Sequence, residues 1–134
     1  MKICHIAVNT QNLEGLKTFY ITYFSGTANA LYENKAKGFR SYFIRFASGP
    51  TLELMTTQSP IGGENPREVP PENAAYGYAH MAFSVGDRQA VDELTLRLIK
   101  DGYPVVSGPR ITGDGYYESC VLDPDGNRVE ITCD

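Results

Sequence analysis

A chain of 134 residues with 42% hydrophobic and 21% charged side chains suits one compact globular unit and excludes an intrinsically disordered protein. A net charge of −4, with no basic stripe, excludes a nucleic-acid binder and leaves an anionic membrane surface little to attract. No apolar run approaches the roughly 18 residues that span a bilayer, and the N-terminus reads as no signal peptide.

The first half opens with a strand at Lys2–Asn9. Asn12 then caps a helix whose apolar residues recur at Leu13, Leu16, Tyr20 and Tyr23/Phe24, with Gly26 placed as its left-handed terminator. Strands are predicted at Ala28–Glu33, Phe39–Ala47 and Thr51–Thr56, the last two joined by a turn at Ser48-Gly49-Pro50. A Pro/Gly-rich linker covers 57–76. The second half repeats the order. A strand at Gly77–Val85 precedes a helix that Asp87 caps and Gly102 ends, with Val91, Leu94, Thr95 and Leu98 on one face. Strands follow at Pro104–Ile111, Tyr116–Leu122 and Arg128–Cys133, separated by turns at Thr112–Gly115 and Asp123–Asn127. The expectation is therefore an α+β domain over 1–134, made of two βαβββ modules at 1–56 and 77–134.

The halves register closely. His80 follows His5 by 75 positions, Gly102 follows Gly26 by 76, and Gly126 follows Gly49, like Glu130 follows Glu53, by 77. Four such matches in one order mark an internal duplication. Strand alternation adds a second regularity. Cys4, Ile6 and Val8 lie opposite His5; Leu52 and Leu54 oppose Glu53; Met81, Phe83 and Val85 oppose His80; Val129 and Ile131 oppose Glu130. The apolar side of each strand can pack on the helices, leaving His or Glu on a more polar face. These are the chain's only two histidines. A duplicated fold relates equivalent positions by a pseudo-two-fold axis, so His5, Glu53, His80 and Glu130 are expected to converge on one divalent cation. Two imidazoles and two carboxylates suit Zn²⁺, Ni²⁺, Co²⁺, Mn²⁺ or Fe²⁺. Three cysteines without CxxC spacing, Cys4, Cys120 and Cys133, read as reduced packing thiols of a cytoplasmic protein.

These features resemble the vicinal oxygen chelate superfamily and, within it, glyoxalase I. The resemblance rests on His5-Ile6-Ala7-Val8, Leu52-Glu53-Leu54-Met55, His80-Met81-Ala82-Phe83-Ser84-Val85 and Asp123-Pro124-Asp125-Gly126-Asn127-Arg128-Val129-Glu130-Ile131. It implies a curved, cup-like mixed sheet with helices on its outer face, one divalent ion per site (Ni²⁺ or Zn²⁺ foremost), and commonly a homodimer. It also implies a small substrate in which an oxoaldehyde is joined to glutathione or another thiol. By the same resemblance Glu130 is the base that moves a proton from C1 to C2, and Glu53 is the second carboxylate ligand and relay. The chain departs from the glyoxalase I pattern at Asn9, where that family places an arginine, and at Thr57, where many members have asparagine. These departures point to a related enzyme with another substrate, or to another way of gripping the thiol. Arg110 and Tyr116, in the segment Ser107–Glu118, are the candidates for substrate contact, with Arg40 and Phe43 behind them. A metal-dependent epimerase, a dioxygenase, a thiol transferase and a drug-binding resistance protein share the fold. Glu53 counts against the epimerase, a four-ligand set against the dioxygenase and transferase, and retention of all four ligands against the binding protein.

Overall fold

The computed structural model describes residues 1–57 and 78–133. The chain divides into two compact units, Met1–Gly63 and Glu64–Asp134. Of the linker predicted at 57–76, Thr57 belongs to a strand, while residues 58–76, with Gly77, lie outside the described residues.

In the first unit, β1 (His5–Asn9) leads into α1 (Leu13–Phe24). Asn12 caps the helix by accepting from the Gly15 N–H at 3.1 Å, and Thr10 Oγ1 holds the Asn12 N–H at 2.9 Å. The helix ends differently from expectation. Ser25, not Gly26, takes the left-handed conformation, with φ 54°. Gly26 is needed for space, because a Cβ there would lie 2.5 Å from Ile44 Cγ2 and 3.1 Å from the Tyr20 carbonyl oxygen.

The strand predicted at 28–33 is two short ones, β2 (Thr27–Ala28) and β3 (Tyr32–Asn34). Asn29 breaks it by a side-chain contact with Phe43. Its N–H donates to the Phe43 carbonyl at 3.1 Å, and its Oδ1 accepts the Phe43 N–H at 2.7 Å, so a side chain replaces the neighbouring strand's backbone. A 3₁₀ turn at Lys35–Lys37 then leads to β4 (Phe39–Arg45) and β5 (Thr51–Thr57). The sheet order is β1-β5-β4-β2, with β3 also on β4; β1 and β5 run parallel and β4 is antiparallel to β5. Leu13, Leu16, Phe19 and Tyr20 of α1 are buried, as are Tyr42, Ile44, Leu52 and Leu54 of the sheet.

The second unit contains β6 (Met81–Ser84), α2 (Arg88–Lys100), β7 (Val105–Ile111), β8 (Tyr117–Leu122) and β9 (Arg128–Thr132), with sheet order β6-β9-β8-β7. Asp87 Oδ1 caps α2 by accepting the Ala90 N–H at 2.9 Å. Gly102, with φ 88°, closes it as a Schellman turn: Tyr103 N–H reaches the Leu98 carbonyl and Gly102 N–H that of Ile99. Val91, Thr95 and Leu98 of α2 are buried, with Ser119, Val121, Val129 and Ile131 of the sheet. The Thr95 hydroxyl donates to the Val91 carbonyl and stands 2.6 Å from Ser119 Oγ, so both buried hydroxyls are satisfied. At the Asp123–Asn127 turn, Asp123 accepts from the Asp125 and Asn127 N–H groups and from Asn127 Nδ2. Each unit thus has the βαβββ order, β2 and β3 together filling one strand position in the first.

Candidate metal centre

The parallel β1–β5 ladder sets Ile6 against Leu52 and Val8 against Leu54, which form its apolar side. Ala7 stands against Glu53, and His5, two residues earlier, falls on the same face as Glu53. His5 Nε2 lies 3.8 Å from Glu53 Oε2. The second unit repeats the relation. Ala82 stands against Glu130, His80 precedes it by two, and His80 Nε2 lies 3.1 Å from Glu130 Oε2. In each pair the imidazole is the more exposed partner, at 47% and 41%, and the carboxylate is largely covered, at 15% and 20%.

Two donors bound to one ion at about 2.0–2.2 Å stand about 3.0–3.5 Å apart at ordinary coordination angles. The His80–Glu130 pair falls within that span and the His5–Glu53 pair lies slightly outside it. The donor set suits a borderline divalent cation, and the His80–Glu130 spacing matches one. Among the described residues, no group of three or more His, Cys, Asp or Glu side chains is gathered so as to hold a metal. Each unit by itself brings together two of the four predicted ligands.

Neighbouring strands complete each face. In the first unit Phe43 stands opposite Glu53, and its ring meets His5 edge-on with centroids 5.7 Å apart. Arg40, by contrast, alternates with Phe43 onto the side that carries Glu14, whose charge it feels. In the second unit Cys120 stands opposite Glu130, and Glu118, two residues along β8, shares that face. Glu118 and Cys120 were not among the predicted site residues. Pairing β8 with β9 across the Asp123–Asn127 turn and applying alternation would have found both. Burial foremost, then the Glu130 charge, raises the Glu118 carboxyl above the ordinary range, while Arg110 works the other way. Burial likewise raises the Cys120 thiol.

Of the two predicted substrate contacts, Arg110 stands opposite Glu118, with Nη2 3.9 Å from Oε1. Tyr116 lines a cavity of about 290 Å³ with Arg88, Asp114, Gly115, Tyr117 and Cys133, a set that includes none of His80, Arg110 and Glu130.

Two βαβββ units, each with a His–Glu pair on its sheet face at the same register, define a class of duplicated-module proteins. Residues 2–131 match the model of the Glyoxalase/Bleomycin resistance protein/Dioxygenase superfamily, and the chain belongs to that superfamily. Among solved structures, it resembles the trypanothione-dependent glyoxalase I of Leishmania major, at 19% identity and TM-score 0.75, over 99% of this chain and 86% of that one. It also resembles a lactoylglutathione lyase from Agrobacterium tumefaciens, at 23% identity and TM-score 0.65, over 97% and 91%. A maize glyoxalase I variant matches at 19% identity and TM-score 0.74, over 99% of this chain but 45% of the maize chain. At these identities the likeness establishes the fold alone. No curated protein matches the sequence significantly. No helix among the described residues is long and apolar enough to cross a membrane.

Proposed function

We propose that this protein is a metal-dependent isomerase of the glyoxalase I type, acting by proton transfer on a small oxoaldehyde–thiol adduct. One observation carries the reading: the same His–Glu pair, at the same register of a parallel ladder, occurs in both modules. A surface ion pair has no reason to recur this way, whereas a shared ligand set does.

His5, Glu53, His80 and Glu130 are the residues that would hold one divalent ion, with Ni²⁺ or Zn²⁺ foremost and Co²⁺ or Mn²⁺ as further candidates. When bound, such an ion supplies Lewis-acid polarisation of neighbouring substrate oxygens. The protein's own task is to move a proton. Glu130 takes it from C1 of the adduct and returns it to C2, and Glu53 serves as the second carboxylate. Both carboxylates are largely covered by the fold, which strengthens their hydrogen bonds and limits exchange of the proton with water. Phe43, packed on the His5 ring, holds that imidazole in place. Arg110, on the face that carries Glu130, stands beside the substrate.

We further assign the protein to the cytoplasm and to a homodimer. The maize chain, of which this chain covers 45%, supports an assembly of two copies.

The test is Glu130→Gln in the metal-loaded protein, assayed for conversion of methylglyoxal–thiol hemithioacetals to the thioester. Loss of about 10²–10⁴-fold in turnover with the fold intact is expected for removal of a general base. An active Glu130→Gln protein contradicts the assignment.

A further inference from the structure

Between β7 and β8 the register slips twice, once between Val105 and Ser107 and again between Ser107 and Arg110; the second slip interrupts the alternation that Ser107 sets. Ser107 stands opposite Cys120, but Arg110 stands opposite Glu118, so three steps along β7 match two along β8. Without that extra residue Arg110 would face Tyr117, whose hydroxyl donates to Asp92 of α2 on the helix-packed side of the sheet. The bulge therefore turns Arg110 from the α2 side to the side that carries His80 and Glu130. Gly108 makes the bulge possible. Its φ is +81°, and a Cβ there would lie 2.4 Å from the Glu118 carbonyl oxygen and 2.8 Å from Ser119 Cα. The second bulge, which Gly108 permits, thus sets one guanidinium beside one carboxylate.

The pair is unequal in exposure. Arg110 is 49% exposed and reaches outward, while Glu118 is 15% exposed and set in the sheet face. A substrate carboxylate arriving at Arg110 would meet a guanidinium already paired and a fixed negative charge behind it. Specificity built this way comes from a repulsive element as much as from an attractive one. We propose that Glu118 is a specificity-determining residue that occupies Arg110, so that the site selects adducts of thiols whose head group is neutral or cationic over those that present carboxylates. The inference rests on the proposed isomerase reading for its substrate class, but its geometry lies wholly in the second unit.

The probes are glutathione and its diethyl ester, which share one scaffold and differ in their carboxylates. Their affinities for the metal-free protein are measured by NMR titration, and turnover of their methylglyoxal adducts is measured after metal loading. The wild type is expected to favour the ester by about two- to fivefold, the scale of one exposed charge contact. Glu118→Gln is expected to remove that preference by raising glutathione affinity, and the preference of the wild type should shrink in high salt. Glu118→Ala removes the same charge without an amide, so the pair of variants decides the matter even if Glu118→Gln fails to fold. Equal or tighter binding of glutathione by the wild type overturns the proposal, as does a Glu118→Gln protein with unchanged preference or no binding of either probe. An ester preference without turnover sinks the isomerase reading and leaves the role of Glu118 standing. Turnover without charge preference does the reverse.

Discussion

Cys120 stands directly opposite Glu130 across the β8–β9 ladder, in the position that Phe43 holds opposite Glu53 in the first unit. The duplicated modules have kept the His–Glu pair and diverged in what flanks it: an aromatic ring against His5 in one, a thiol and an Arg–Glu pair in the other.

The covered thiol gives the first expectation. Cys120 is 6% exposed and burial raises its pKa, so at neutral pH it stays a protonated thiol, which is a poor nucleophile. Cys4 is exposed. Thiol titration of the native protein should label Cys4 quickly and Cys120 only on unfolding. Peptide mapping that found Cys120 labelled first would contradict the burial described for this face.

The end of α1 gives a pair of opposed substitutions. Ser25 occupies a left-handed conformation that costs a non-glycine residue roughly 1 kcal/mol, so Ser25→Gly should stabilise the protein by up to about that amount. Gly26→Ala should destabilise it by about 1–3 kcal/mol, because the new methyl meets Ile44 and the Tyr20 carbonyl. Urea denaturation of the two variants reads both signs. Stabilisation by Gly26→Ala would show that the helix end is packed otherwise.

Glu14 sets a small pH dependence. Its side chain is hydrogen-bonded by Lys17 and by the Tyr42 hydroxyl, the latter at 2.8 Å, and these partners, Lys17 foremost, hold its pKa below the ordinary value. A carboxyl lowered in the folded state contributes stability that is present above its unfolded value of 4.5 and is lost as pH falls through the folded one. The side chain is 63% exposed, so solvent screens the contribution. Glu14→Gln should therefore lower the urea midpoint slightly at pH 7 and by less near pH 3. An equal loss at both values would assign the effect to packing instead of charge.

Much of this was legible from residues alone, for identifiable reasons. The duplication could be read because His5, Glu53, His80 and Glu130 recur at near-constant spacing. Their common faces could be read because alternation in β1, β5, β6 and β9 has no bulge to disturb it. The caps at Asn12 and Asp87 and the Gly102 terminator follow from local chemistry and sit where expected. Three features depended on contacts distant in sequence and were missed. Asn29 splits a predicted strand by bonding to Phe43, fourteen positions away. Gly26 serves the bulk of Ile44 across the core, and the left-handed residue is its neighbour Ser25. The β7 bulge turns Arg110 toward Glu118, which no periodicity within β7 reveals.

The central claim is that His5, Glu53, His80 and Glu130 together hold one catalytic divalent ion. The protein should be stripped with chelator, reloaded separately with Ni²⁺, Zn²⁺, Co²⁺ and Mn²⁺, and its bound metal counted per chain alongside His80→Ala. The account predicts one ion per site in the wild type, its loss in His80→Ala, and hemithioacetal isomerase activity only in a loaded form. Absence of stoichiometric metal from the wild type, or full retention by His80→Ala, would contradict it.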